Sequence, residues 1–160
     1  MRLNTASEAI SFLRGLEARS VDFYVALSQH YEDKKELFLD FAKESKKNIA
    51  NIERTYFGVI SDALEACFAF DLDPSAYEIQ DYLPKGNLKE DIAAALQMEA
   101  QIVKFYQDAA AQSRGLMADV PRVMERIAKN RQNRIAKIGE ITAKVRIDIL
   151  KIANKTGGKP

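Results

Sequence analysis

Apolar residues recur every three or four positions along four long segments of the chain, which is the spacing of a helix that buries one face. The first predicted helix begins at a capping box formed by Thr5 and Glu8 and ends near His30. The second begins after Asp33 and continues towards Ile60. A short loop joins these two helices, so we expect them to form an antiparallel hairpin.

The second half of the chain repeats this plan. Asn87 and Glu90 have the spacing of a helix start, and the third helix is expected to end at Arg114. Asp119 and Pro121 mark the start of the fourth helix, where proline is tolerated in the first turn. The loop between the third and fourth helices is again short, which predicts a second antiparallel hairpin.

A long crossover, residues 61–87, separates the two hairpins. Pro74, Pro84 and Gly86 interrupt any continuous helix there, although Asp62 to Phe70 fits a short one. The pattern therefore predicts an all-α fold, a four-helix bundle in which two antiparallel hairpins are joined by a long crossover.

The domain boundaries follow from the same pattern. The hairpins are expected at about residues 6–60 and 88–152 of a single domain that covers residues 1–153. The last residues, 154–160, are rich in Gly and Lys, and we expect them to form a disordered tail.

Two motifs of the first hairpin return in the second. The string LEARSVDFY at 16–24 shares Glu, Ala, Val, Phe and Tyr in register with MEAQIVKFY at 98–106. Likewise, FAKESKKNIANI at 41–52 matches IAKNRQNRIAKI at 127–138. Duplication of one hairpin explains both matches, although similarity this short can also arise by convergence.

Each helix carries polar residues where its apolar stripe should continue. Glu17 and Glu99 lie within the stripes of the first and third helices, and Tyr24 and Tyr106 follow seven residues later on the same face. The second and fourth helices become polar at KESKKN and KNRQNR. In a bundle these levels can coincide. A buried carboxylate is costly unless it is paired, so we expect a cation at this level.

Charge and composition narrow the function classes. Residues 1–119 hold 13 basic and 20 acidic residues, whereas residues 120–160 hold 11 basic and 3 acidic ones. We interpret this as a basic last helix lying against acidic partners within one domain, with a nucleic-acid or membrane surface as the less favoured alternative. The single cysteine excludes an internal disulfide, and no signal peptide or membrane-spanning run is evident. A cytoplasmic protein is expected.

The chain resembles the rubrerythrin-like branch of the ferritin-like superfamily. The resemblance covers about residues 6–56 and 88–150 and rests on the long crossover and on the motif Glu-x5-Phe-Tyr in the first and third helices. It implies a ferritin-like four-helix bundle and a homodimer. In that family, two helices supply one Glu each and two supply Glu-x-x-His, and these side chains hold two irons. Such proteins activate oxygen or peroxide, or oxidise ferrous iron.

Only part of that ligand set is carried over to this sequence. Glu17 and Glu99 match the single carboxylates, and Glu44 matches the Glu of the first Glu-x-x-His motif. Lys47 stands in place of the His in that motif. The only histidine, His30, lies more than three turns from Glu17, which makes it a poor candidate ligand.

The fourth helix departs from the family pattern at both ligand positions. Asn130 replaces its Glu, and Asn133 replaces its His. One outcome is a single divalent cation such as Fe, Mn or Zn on the residual carboxylates, with these amides as weak ligands. In a second outcome, Arg131 or Arg134 enters the site and a proton on one Glu completes the neutralisation. A full di-iron centre is the third, and it is disfavoured because the Lys47 ammonium would occupy a metal position.

Two functional hypotheses follow from this ligand set, in addition to a third, less favoured one, a nucleic-acid binder that uses Arg122, Arg126, Lys129, Lys137, Lys144 and Arg146 of the last helix. The first is a non-catalytic structural or interaction module with an internal Glu/Lys network, in which Tyr24 and Tyr106 donate hydrogen bonds to the glutamates. The second is a metal-binding oxidoreductase that uses Glu17, Glu44 and Glu99. On this alignment, the triple substitution K47H/N130E/N133H is expected to create iron binding.

Overall fold

Four long helices make up most of this computed structural model, which describes residues 1–59 and 70–157. They are α1 (Ala6–His30), α2 (Lys35–Val59), α3 (Leu88–Ser113) and α4 (Val120–Thr156). Short 3₁₀ segments lie at Glu32–Lys34 and Pro74–Tyr77. All four long helices were predicted, and the described residues are consistent with an all-α four-helix bundle. The short helix predicted from Asp62 to Phe70 lies almost wholly outside them.

The helix starts follow the predicted capping chemistry. The Thr5 side chain accepts the Glu8 N–H at 3.1 Å and the Glu8 carboxylate accepts the Thr5 N–H at 3.0 Å, which completes the capping box. The Asn87 side chain accepts the Glu90 N–H at 3.2 Å. The end of α4 differs from the prediction, because the helix continues to Thr156, past the expected domain boundary at residue 153.

Side-chain contacts establish the direction of each helix relative to its neighbours. Within the first hairpin, Arg14 pairs with Glu53 while Tyr24 packs on Phe41, so α1 and α2 are antiparallel. Between the hairpins, Tyr24 of α1 bonds to Glu99 of α3. Glu17, which precedes Tyr24 in α1, bonds to Tyr106, which follows Glu99 in α3. Helices α1 and α3 are therefore antiparallel as well. This leaves α2 and α3 parallel, so the crossover must traverse the length of the bundle.

The crossover is attached to the bundle at several points along residues 70–87. Near its start, Leu3 and Leu72 form an isolated antiparallel bridge with a backbone N···O distance of 2.8 Å. Further along, the Arg19 guanidinium of α1 donates to the Ile79 carbonyl at 3.0 Å. The described part of the crossover, residues 70–87, thus runs from the end of the bundle near Leu3, past α1, to the start of α3 at the other end.

A buried carboxylate joins the end of the crossover to α3 and to Tyr31, the residue that follows α1. Asp91 in the first turn of α3 accepts the hydroxyls of Tyr31 and Tyr82, both at 2.6 Å, and the backbone N–H groups of Lys85 and Gly86, both at 3.0 Å. Burial opposes ionisation of Asp91, but these four donors outweigh it and lower the pKa of the carboxyl below its ordinary value.

The last part of α4 lies outside the core. Ile141 is the last buried residue of the helix, and about four more turns follow it. Ile147, Ile149, Leu150 and Ile152 are all more than half exposed there. None of the helices in the described parts of the chain is both long and apolar enough to cross a membrane.

Candidate functional site

The centre of the bundle holds four buried charged side chains, which we call the central ion cluster. Glu17 comes from α1, Glu99 from α3, and Arg131 and Arg134 from α4. The first three are fully buried and Arg134 is 3% exposed. Charged groups are rarely buried to this extent unless they are paired, so each member's partners determine what the site can do.

Arg131 bridges the two buried carboxylates. Its Nη1 donates to Glu99 Oε2 at 2.6 Å, its Nε donates to Glu17 Oε1 at 3.2 Å, and its Nη2 contacts Glu17 Oε2. Nη2 also lies 3.2 Å from the buried Ser45 hydroxyl. Every nitrogen of this guanidinium is therefore used, and one side chain joins α4 to the carboxylates of α1 and α3.

Arg134 forms the second bridge, one helical turn further along α4. Its Nη1 donates to Glu99 Oε1 and to Ser45 Oγ at 3.0 and 3.1 Å, and its Nη2 donates to Glu44 Oε2 at 3.0 Å. The guanidinium lies 5.0 Å from the Phe41 ring centre and 5.4 Å from that of Tyr24, within cation–π range. Its Nε has no acceptor among the described residues.

Two tyrosines complete the carboxylates' hydrogen bonding in a reciprocal arrangement. The Tyr24 hydroxyl of α1 donates to Glu99 of α3, and the Tyr106 hydroxyl of α3 donates to Glu17 of α1, both at 2.6 Å. Burial is the main cause that raises the pKa of both hydroxyls well above 10, and the neighbouring carboxylates add to it. The tyrosines therefore act as neutral donors, the role that the sequence predicted for them.

The charges within the cluster balance. Burial opposes ionisation of Glu99, but attraction to Arg131 and Arg134 outweighs it and lowers the pKa of this carboxyl. Burial also opposes the charge on Arg131, yet the adjacent Glu17 and Glu99 raise its pKa well above the ordinary value. Two carboxylates thus face two guanidinium groups, and the buried core of the site is electrically neutral.

The third predicted carboxylate lies at the edge of this cluster. The Glu44 side chain is 51% exposed, and its contact with the cluster runs through Arg134. Glu17 and Glu99 are brought together by Arg131, whereas Glu44 reaches them only through a second guanidinium. The three glutamates therefore do not converge on one common point.

Three positions that the sequence placed on the inward face of their helices lie on the outward face. Lys47, Asn130 and Asn133 are exposed, so the predicted internal ammonium is not part of the cluster. A change of one residue rotates a side chain by about 100°, and the polar runs of α2 and α4 contain no apolar residue that marks the phase. The inward positions lie one residue later in both helices.

Ser45, Asn48, Arg131 and Arg134 occupy these inward positions. Ser45 and Asn48 stand in α2 at the places that correspond to Arg131 and Arg134 in the internal repeat. Ser45 is fully buried, and the Asn48 amide donates to Glu17 Oε1 at 3.2 Å. The apolar stripe of α4 was the sequence signal that could have identified them. Ala128, Arg131 and Ile138 follow helical spacing, so the stripe is continuous once Arg131 is counted as one of its inward residues.

The donor set of the cluster does not fit the two metals that the resemblance implies. Glu17 and Glu99 each use both carboxylate oxygens on guanidinium groups or tyrosine hydroxyls. Arg131 holds a permanent positive charge at the point that a cation would need. Within residues 1–59 and 70–157, no three His, Cys, Asp or Glu side chains are grouped to hold a metal ion.

An open cavity of about 370 Å³ lies between α2 and α4 beside the cluster. Arg131 and Arg134 belong to its lining, together with Glu44, Lys47 and Lys137. We call it the α2/α4 cavity. It lies on the arginine side of the cluster.

Comparison with protein-family models, curated proteins and solved structures finds no match to this chain.

Proposed function

We propose that this chain is a ferritin-like four-helix bundle in which two arginines have taken the place of the metal centre, and that it acts as a non-catalytic structural or binding module. The observation that carries the proposal is the Arg131 guanidinium, which bonds to both buried glutamates at once. The direction of the helices also supports it, because two hairpins joined by an end-to-end crossover are typical of ferritin-like bundles.

The electrostatics favour a static role for the cluster. A divalent cation added to an already neutral buried site would bring two uncompensated positive charges, which is costly in a medium of low dielectric constant. Displacement of Arg131 by the metal would bury a free guanidinium elsewhere or force it into solvent. The cluster therefore serves as a polar connection between α1, α3 and α4.

Metal analysis tests the proposal directly. Protein purified without chelator, loaded anaerobically with ferrous iron and passed through a desalting column is expected to retain less than about a tenth of an equivalent. Ferrous oxidation in air should proceed at the rate of the buffer alone. Stoichiometric iron, or rapid oxidation, would overturn it in favour of the alternative, a metal-binding oxidoreductase using Glu17, Glu44 and Glu99.

A homodimer is part of the same proposal and derives from the family resemblance. Sedimentation equilibrium at several protein concentrations measures the mass of the particle in solution. One chain has a mass of 18.0 kDa, and the measured mass is expected to be twice that of one chain. A monomeric mass at every concentration would remove this part and leave the assignment of the cluster intact.

A further inference from the structure

The α2/α4 cavity has more positive than negative charge on its lining. Glu44 is the only acidic residue there, and it is already paired with Arg134. Lys47 and Lys137 line the same cavity and take part in none of the ion pairs found among the described residues. The two lysines therefore provide positive charge that the protein's own described carboxylates do not neutralise.

Arg134, one of the residues that line this cavity, has a side-chain nitrogen without a partner among the described residues. The Arg134 Nε is the one buried side-chain nitrogen or oxygen in the described part of the chain that lacks a partner, and Arg134 is itself 97% buried. Buried donors of this kind are normally satisfied. Four amide side chains also line the cavity, and each brings an NH₂ group: Asn48, Asn51, Asn130 and Asn133.

We propose that the α2/α4 cavity binds a small molecule through a phosphate or carboxylate group, with Lys47 and Lys137 as the charge partners of that oxyanion. This inference deepens the proposed function, because it names the ligand class of a non-catalytic binding module. Lysine ammonium and amide NH₂ groups are donors to oxyanions, and charge-assisted hydrogen bonds of this type are among the stronger ones.

The size and sign of the cavity exclude other classes of ligand. A volume of about 370 Å³ is at the small end of the range for ligand pockets and is too small for a protein helix. A metal cation would meet four positive side chains and one carboxylate, so it would be repelled.

The half-exposed Glu44 carboxylate competes with an incoming oxyanion for Arg134 and repels it.

Calorimetric titration with two probes tests this inference. Inorganic phosphate and citrate are titrated into the full chain at constant ionic strength, with sodium chloride as the reference titration. Lys47→Met and Lys137→Met are each expected to weaken binding by about fivefold or more, because each removes one charge partner. Glu44→Gln is expected to tighten it by a similar factor.

The matched control is Lys46→Met, since Lys46 is exposed on α2 beside Lys47 and is not part of the cavity lining. It removes the same charge and should leave binding unchanged. Tighter binding of phosphate than citrate indicates a phosphorylated ligand, and the reverse order indicates an organic acid; both support the proposed oxyanion chemistry. Equal losses in all three lysine variants, or no binding of either probe up to 10 mM, on the order of the weakest measurable affinities, would overturn it.

The metal content of the same samples keeps this test separate from that of the proposed function. Metal-free protein that binds neither probe contradicts the cavity's ligand class but not the arginine-filled cluster. Protein that carries stoichiometric iron contradicts the cluster assignment whatever the titrations show.

Discussion

At the scale of single residues, the cation between Glu17 and Glu99 is an arginine because the shape of this side chain allows it to bond to two carboxylates at once. Its planar group presents separate N–H donors in a fixed fork, and Arg131 uses them on Glu17 and Glu99 together. A lysine ammonium is a compact point charge that cannot match two carboxylates in this way. The expectation of a Glu/Lys network therefore differs from the structure in chemistry as well as in position.

The first prediction concerns removal of this bridge. Arg131→Met is expected to lower the free energy of unfolding by about 3–5 kcal/mol, because it leaves Glu17 buried without a cation. Arg131→Lys should recover only part of that loss, since the fork geometry is absent. Urea unfolding measured by circular dichroism gives both values.

Arg126→Met is the control for this measurement. Arg126 is exposed on the same helix and takes no part in the cluster, so its replacement should change stability by less than about 0.5 kcal/mol. A loss below about 1 kcal/mol for Arg131→Met would show that the guanidinium contributes little and that the cluster tolerates an uncompensated carboxylate.

At the scale of helices, the sequence was most informative where apolar residues mark the phase. The stripes of α1 and α3 contain Glu17 and Glu99 between apolar neighbours, and both glutamates are buried as predicted. In α2 and α4 the polar residues come in runs of six. Inward and outward residues are then both polar, so spacing alone could not separate Lys47 from Asn48 or Asn130 from Arg131.

The corrected phase makes a prediction about iron. If Ser45, Asn48, Arg131 and Arg134 hold the inward positions, the substitution S45E/N48H/R131E/R134H adds four ligands to Glu17 and Glu99 and reproduces on one level the six-ligand set of the family that the chain resembles. This variant is expected to bind about two equivalents of iron, measured by elemental analysis. The triple variant K47H/N130E/N133H, on which the sequence alone relied, is expected to bind none, because its new side chains are placed on the exposed face and both arginines remain.

The quadruple variant also needs a check of folding. Its helical circular dichroism should match the parent once iron is present. Iron uptake by the triple variant in place of the quadruple one would reverse the assignment of helix phase in α2 and α4.

A second prediction at this scale concerns the crossover. Tyr82→Phe removes one of the four donors to Asp91 and should lower the urea midpoint of unfolding, because the charged acceptor loses a hydrogen bond. The loss should appear first as faster amide hydrogen exchange in residues 74–87, because this carboxylate fastens the end of the crossover. Tyr56→Phe on α2 is the control and should leave that exchange unchanged.

At the scale of the whole molecule, the excess of basic residues in the last part of the chain is partly explained by the ion pairs that α4 forms in the interior. The basic last helix directs Arg131 and Arg134 at glutamates from α1, α2 and α3, as the interpretation of a basic helix against acidic partners expected. The remaining basic residues of α4 include exposed ones such as Lys129 and Arg146. Charge statistics alone could not distinguish the two inward arginines from these outward ones.

The last prediction follows from carboxylates and tyrosines whose pKa values move in opposite directions on folding. The pKa values of Glu99 and Asp91 are lowered, so their contribution is complete above the unfolded values of about 4 and is lost as the pH falls through the lower folded values. The pKa values of Tyr24 and Tyr106 are raised, so their contribution is complete below about pH 10 and is lost above it. Stability should therefore be nearly flat from about pH 5 to 9 and decline on both sides.

Urea midpoints measured from pH 3 to 11 test this profile. Two variants identify the residues that cause the decline at low pH, the acid limb, and the decline at high pH, the alkaline limb. Glu99→Gln cannot ionise at this position and should make the acid limb shallower, with Asp91 still contributing to it. Tyr24→Phe should make the alkaline limb shallower, with Tyr106 still contributing, and leave the acid limb in place. An acid limb equally steep in Glu99→Gln would show that Glu99 does not contribute to it, with Asp91 as the next group to replace. Between these limits the central ion cluster is expected to act as a polar connection between helices whose strength does not vary with pH.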